Sequence, residues 1–284
     1  VTAVRPDTVA PAPGPALAPA PTPAPAPVLV GSADPFPAVS LAEVLDRAEL
    51  QTRVDRKYLL PADVFAAFRA GLAGSGQWAA LEIDGRREFR YDSTYFDTPD
   101  LLTYRQHRQD RRRRFKIRTR SYLDSATSLF EVKLSGTRRG TVKERTPHPF
   151  ERRGELTAPA RAFLTAVLED AYGEPPPAGL RPAATTRYLR RTLVARTGAC
   201  RVTCDTGLVC TTAGARVAAV PEWVLVEVKS PGGDTPADRL LRALGARPER
   251  LSKYCLAAAV LTPGLACNPW NRPLRRWFGA AAPR

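Results

Sequence analysis

From Arg112 to Arg120 every even position is cationic (Arg112, Arg114, Lys116, Arg118, Arg120), while Phe115, Ile117 and Thr119 fill odd ones. Period two is the strand period, so the run predicts a β-strand with one cationic and one largely apolar face. Similar strand signals predict strands at residues 53–60, 88–98, 128–135, 141–150, 184–196, 199–206 and 221–230. Gly136 and Gly140 bracket a hairpin turn, and Gly198 joins two further strands. Helical spacing falls between them. Ser40-Leu41-Ala42-Glu43 has capping-box spacing, and residues 62–73 carry Val64, Phe65, Phe68 and Leu72. Residues 157–172 place Phe163, Leu164, Val167 and Leu168 on one side behind Pro159. Thr235-Pro236 starts another helix, and Ser252-Lys253-Tyr254 opens the last. The expected fold is α+β: an antiparallel β-sheet of about eight strands closed into a barrel-like tunnel, with helices packed on the outside.

Three segments are expected. Residues 1–37, dominated by the Ala/Pro tract Ala10–Val28, read as a disordered, polyproline-like tail. Residues 38–265 form the folded domain, and 266–284 a C-terminal tail. No apolar run approaches the roughly 20 residues that span a bilayer, and the proline-broken N-terminal segment does not read as a signal peptide. The five cysteines show no C-x-x-C pair, and reduced thiols point to a cytoplasmic protein.

Charge sharpens this picture. With 43 Lys and Arg against 28 Asp and Glu, the formal net charge is +15, which implies polyanionic partners. Same-face charges on a strand lie roughly 6–7 Å apart. Each adjacent pair repels by about 2–2.5 kcal/mol at an effective dielectric near 20. A cationic strand face is therefore wet or filled by something strongly anionic. Asp55-x-Lys57, Glu131-x-Lys133 and Glu227-x-Lys229 each set a carboxylate and an ammonium on one strand face, opposite residues such as Val132, Val226 and Val228. Helices over the apolar face would leave the ionic residues inside. Lysine and arginine there would grip phosphate oxygens, and a carboxylate such as Glu227 is a natural ligand for Mg²⁺ or Mn²⁺.

The segments Asp55-Arg-Lys57-Tyr58, Ser93-Thr-Tyr95-Phe96-Asp97-Thr98-Pro99, Lys116-Ile-Arg118-Thr-Arg120, Glu131-Val-Lys133, Lys143-Glu-Arg145, Tyr188-Leu-Arg190, Arg201-Val-Thr-Cys-Asp205, Glu227-Val-Lys229 and Ser252-Lys253-Tyr254 follow one another over about residues 50–262. The series resembles the vacuolar transporter chaperone (VTC) polyphosphate polymerase domain of the triphosphate tunnel superfamily. The resemblance implies an enzyme that moves the γ-phosphate of ATP onto a growing polyphosphate chain with Mn²⁺ or Mg²⁺. By position, Lys57, Arg118, Arg120, Lys133, Lys143, Arg190, Arg201 and Lys253 would hold phosphates and Glu227 the metal. Arg145, Lys229, Glu131 and Asp205 would support them. The first strand departs from the E-x-E-x-K pattern of many tunnel relatives, with Arg53-x-Asp55-x-Lys57 in its place. That departure weighs against a two-metal hydrolytic arrangement.

The expected partners are ATP and polyphosphate, with no nucleic acid and with a membrane partner left open. A triphosphatase of the same fold is the alternative, with Glu131 or Asp55 to orient water. A non-catalytic binder of polyphosphate or nucleic acid is the third reading.

Overall fold

The structure is a computed structural model of the chain, describing residues 34–48, 54–137 and 140–279. The Ala/Pro tract, and the disorder expected of it, lie outside the described residues. The end of the expected tail is folded, because Phe36 is buried and Asp34 pairs with Arg191 at 2.6 Å.

In chain order the elements are β1 (Ala38–Val39), α1 (Leu41–Ala48), β2 (Val54–Pro61), α2 (Ala62–Gly74), β3 (Trp78–Leu81), β4 (Glu88–Asp97), α3 (Leu102–Arg108), β5 (Arg114–Tyr122) and β6 (Thr127–Thr137). There follow β7 (Gly140–His148), α4 (Ala158–Tyr172), β8 (Arg181–Ala195), β9 (Arg201–Thr211), β10 (Arg216–Ala218), β11 (Trp223–Ser230), α5 (Pro236–Ala243), α6 (Lys253–Leu261) and α7 (Asn271–Phe278). Local chemistry explains several boundaries. Ser40 and Glu43 make the reciprocal capping box, with the Ser40 N–H donating to the Glu43 carboxylate at 3.0 Å. Thr235 and Asp238 repeat the device at α5.

One sheet carries the fold, in the order β2-β11-β9-β8-β4-β5-β6-β7, with β1, β3 and β10 attached at its side. All neighbours on the main path are antiparallel. Alternation gives the sheet two unlike faces. Tyr58, Leu60, Val202, Cys204, Val224, Val226 and Val228 form one apolar layer under α2 and α5. Phe96, Ile117, Phe130 and Val132 form another under α4. The opposite face bears the charged residues.

Three further expectations are corrected. The sheet is not closed by hydrogen bonds: among the described residues no backbone pairing joins β2 to β7. It curls until side chains meet instead, as Lys133 on β6 reaches Asp55 on β2 at 3.8 Å.

Not every helix lies outside. α6 packs on the charged face, against Leu59, Leu225, Tyr188 and Leu208, and fills one end of the concavity. Its sequence Lys-Tyr-Cys-Leu-Ala-Ala-Ala-Val-Leu is apolar on nearly every side, the pattern of a helix surrounded by protein.

Residues 266–284, expected as a tail, contain α7, whose Leu274, Trp277 and Phe278 are buried in the same cluster. Residues 102–108 form α3, an element with no counterpart in the strands and helices expected above. The Asp97 carboxylate accepts from the Thr103 and Tyr104 N–H groups at 2.9 and 3.0 Å and so caps α3.

Candidate active site

The concave face gathers cations from many elements around buried carboxylates. Period-two alternation points them there, and the β-ladder fixes their heights: Glu131 stands opposite Arg118 and Arg145, and Lys133 opposite Lys116 and Lys143. Glu131, 2% exposed, accepts from Arg118 Nε at 2.8 Å and Nη2 at 2.6 Å, lies 3.8 Å from Arg120, and binds Lys143. Asp205, 1% exposed, takes a bidentate fork from Arg190 at 2.6 and 2.7 Å, and also holds Lys253 from α6. Glu227 binds Lys229 and lies 3.8 Å from Lys57. Lys229 also donates to Thr203 at 3.3 Å, and Lys57 to the Leu251 carbonyl at 2.9 Å.

Tyrosines interleave with these groups. Arg118 donates to the Tyr95 hydroxyl at 3.2 Å, and the Arg190 guanidinium stands 4.9 Å from the Tyr91 ring centre and 5.3 Å from that of Tyr188. Lys253 lies 4.4 Å over Tyr188. Such stacking locks long, flexible cations into one direction.

The electrostatics separate two kinds of residue. Burial pushes the Glu131 carboxyl up, but Arg118, Arg120 and Lys143 outweigh it and hold the group far below the usual carboxylate range. Asp205 is likewise raised by burial and pulled down to about 2 by Arg190 and Lys253. Glu227 is held well below its ordinary value, because Lys229, Lys57 and Arg190 overcome its burial. The carboxylates are thus anions. Several amines are not securely cations. Burial, joined by Lys133, Lys57 and Arg118, lowers Lys116 to about 7. Burial also lowers Lys229 to about 7, with Glu227 opposing and Arg190 reinforcing. Lys143 falls to about 8 for the same first reason, against the pull of Glu131. A face that depresses its own lysines is one that an anion would recharge.

Each expected residue falls on this face. Lys57, Arg118, Arg120, Lys133, Lys143, Arg190, Lys229, Lys253, Glu131, Asp205 and Glu227 make the contacts above. Arg201 stands opposite Lys229 on β9, in line with Thr203 and Asp205. Arg145 occupies the height of Glu131 on β7 and is exposed.

Sequence reasoning left out Lys116, although it belongs to the same alternating row. Among the described residues it makes no ion pair or hydrogen bond, which leaves its amine available to a ligand. The lining tyrosines were also missed, since their strand positions read as ordinary packing. His107 is buried, and burial followed by Lys116 lowers it to about 2, so it is a neutral wall residue rather than a base.

For a divalent cation the donor set is a partial cradle. No group of three or more His, Cys, Asp or Glu side chains that could hold a metal occurs among the described residues. Glu227 is a hard oxygen donor facing the concavity and held between two amines. It fits an ion that takes one carboxylate and completes its shell with water and substrate phosphates, as Mg²⁺ commonly does. No helix among the described residues is long and apolar enough to cross a membrane.

The VTC domain family model matches residues 49–262. No curated protein sequence matches the chain significantly. Among solved structures, a candidate adenylyl cyclase from Hippeastrum with a dominant triphosphatase activity is 15% identical, covers 75% of this chain and 99% of its own, and has a TM-score of 0.46. A candidate adenylate cyclase from Bacillus halodurans is 14% identical, with coverage of 71% and 94% and a TM-score of 0.44. A conserved hypothetical protein from Pyrococcus furiosus is 12% identical, with coverage of 72% and 99% and a TM-score of 0.39.

Proposed function

Because this chain belongs to the VTC domain family, we propose that it is a polyphosphate polymerase, transferring the γ-phosphate of ATP to the end of a polyphosphate chain held in the concavity. One observation supports this above the rest: cations from β2, β5, β6, β7, β8, β9, β11 and α6 converge on one recessed face, fixed by carboxylates that are not titrating. Phosphoryl transfer asks little covalent chemistry of a protein. It asks for donor and acceptor in line and for stabilised charge on the transferring group.

The residues would divide the work as follows. Asp205 and Glu131 spend their oxygens on Arg190, Arg118, Arg120, Lys143 and Lys253, which holds those donors in place before substrate arrives. Arg190 uses Nε and Nη2 on Asp205, so Nη1 remains to meet a phosphate oxygen. Lys57, Lys116, Lys133 and Arg201 extend the grip along the chain. Glu227 would hold Mg²⁺ or Mn²⁺ together with substrate phosphates, and the ion would neutralise charge on the transferring group. The accepting phosphate is already ionised near neutral pH, so no side chain need act as a base.

The same geometry weakens the triphosphatase reading in one respect. Glu131, a candidate to orient water, is enclosed by three cations and has little basicity left. A cytoplasmic location, where ATP is abundant, fits the polymerase. The test is turnover with product sizing. Purified protein with ATP and Mn²⁺ or Mg²⁺ should yield long acid-insoluble phosphate chains. Orthophosphate alone would establish a triphosphatase instead, and unchanged ATP with tight polyphosphate binding would establish a non-catalytic binder.

A further inference from the structure

The cationic row of β5 does not stop at the concavity. Arg114 and Lys116 line a cavity of about 190 Å³ beside the first turn of α6, together with Lys133, Arg250 and Ser252. Immediately before Arg114 the chain turns through a second depression of about 530 Å³, on the outside of the α3–β5 corner. Its walls are four arginines (Arg105, Arg111, Arg112, Arg113), two glutamines and Leu102, with no carboxylate among them.

Contacts around Asp110 and the Arg111 carbonyl link the two depressions, which have no lining residue in common. Arg114 donates to the Arg111 carbonyl at 2.7 Å and pairs with Asp110 at 3.2 Å, while Arg250 reaches Asp110 at 2.7 Å and the His107 carbonyl at 3.1 Å.

The outer arginines are only partly neutralised. Arg105 is held by Asp100, and Arg113 touches Glu174 at 3.4 Å. Arg111 bonds to the neutral Gln109 at 2.9 Å, and Arg112 makes no ion pair or hydrogen bond among the described residues. Consecutive arginines repel, so the corner is poised for an anion. Its continuity with the inner row says which kind. From Arg114 to Arg120 the strand rises by roughly 20 Å, with the arginine corner beyond its start, and a triphosphate would cover only part of that distance. A long, thin, flexible polyanion could follow it from outside to inside. The corner offers no exposed aromatic side chain on which bases could stack, which disfavours single-stranded nucleic acid.

We propose that the arginine corner between α3 and β5 is an external binding site for linear inorganic polyphosphate, holding the part of the chain that lies beyond the α6-side opening. The proposal rests on the polymerase reading for its substrate class. Its test does not need turnover.

Affinities of long-chain inorganic polyphosphate and of tripolyphosphate are measured in EDTA, without ATP, for the wild-type chain and for R111E/R112E/R113E. The wild type should prefer the long chain. The variant should lose roughly tenfold or more of its long-chain affinity, the order expected of several phosphate contacts, and keep its tripolyphosphate affinity. R111Q/R112Q/R113Q should show a smaller loss in the same direction, and it decides the matter if the glutamate variant melts below the wild type.

Unchanged long-chain affinity in a folded variant overturns the site. Equal loss for both ligands also overturns it, since the corner would then belong to the inner site. Single-stranded DNA competing as well as polyphosphate at equal phosphate concentration overturns the assignment to polyphosphate. Absence of chain synthesis by the wild type would overturn the polymerase reading alone, because these affinities are read without it.

Discussion

Glu131→Gln offers a direct trial of the idea that buried carboxylates stand in for absent substrate charge. The substitution keeps the shape of the side chain and removes one negative charge from among Arg118, Arg120 and Lys143. These side chains are 22%, 14% and 30% exposed, and Glu131 itself 2%, so water can screen little of the change. Removing one partner of a buried ion pair costs about 3–5 kcal/mol. Partial access of the three cations to solvent places the expected loss near the lower figure. For a domain of this size each kcal/mol shifts the melting temperature by about 2–4 °C, so the free variant should melt about 6–12 °C below the wild type.

An anion should then restore what the carboxylate supplied. Tripolyphosphate at a hundred times its dissociation constant contributes about 2.7 kcal/mol, enough to recover most of the deficit. The variant should also bind it more tightly than the wild type does. Thermal unfolding with and without tripolyphosphate reads both effects. Equal melting of the free proteins would refute the reasoning. So would a deficit in the variant that tripolyphosphate leaves intact while it stabilises the wild type.

Three other outcomes follow from the same face. Glu227→Gln should keep polyphosphate affinity within about threefold but lose most metal-dependent turnover, and full activity in that variant would remove Glu227 as the metal ligand. Lys116 and Lys229, lowered to about 7, and Lys143, lowered to about 8, lose protons as pH rises through those values. A bound phosphate returns them to the ammonium form, so the complex holds more protons than the free protein. Binding of tripolyphosphate should therefore take up protons at pH 8 and weaken towards pH 9; calorimetry in buffers of different ionisation enthalpy would show no uptake if the lysines were ordinary. Trp277→Ala should destabilise by roughly 3–5 kcal/mol in urea unfolding, since the ring is 1% exposed in the core; a change near zero would return residues 266–284 to the status of a tail.

Much of the concave face was readable because a strand writes its two faces into alternate positions. β5 is the clearest case, and the acid-x-Lys units of β2, β6 and β11 carried the same signal. Lys116 stands in that row beside Arg118 and Arg120, and alternation alone does not distinguish its amine from their paired guanidiniums. Other features leave no period to read. β3, Trp-Ala-Ala-Leu, is buried at all four positions and so shows no alternation. α3 depends on Asp97 capping it from the end of β4, a contact set by the fold of the β4–α3 corner rather than by helical spacing. The inward position of α6 was written in its apolar circumference, but a helix surrounded by protein and a helix on an outer wall both begin with a hydrophobic stretch. The absence, among the described residues, of a ladder between β2 and β7 is a property of curvature, which no single strand encodes.

Among the described residues the β2 and β7 margins are unpaired, and on the polymerase reading this bears on how a polyphosphate chain would enter. A wall hydrogen-bonded all the way round would admit a chain only by threading one end through a mouth. Here the Lys133–Asp55 contact joins β6 to β2 as a salt link between side chains, and a bound phosphate would compete for the same amine. On the polymerase reading, a polyanion that takes up Lys133 would release this side-chain link between β6 and β2, and entry from the side would not require a free chain end.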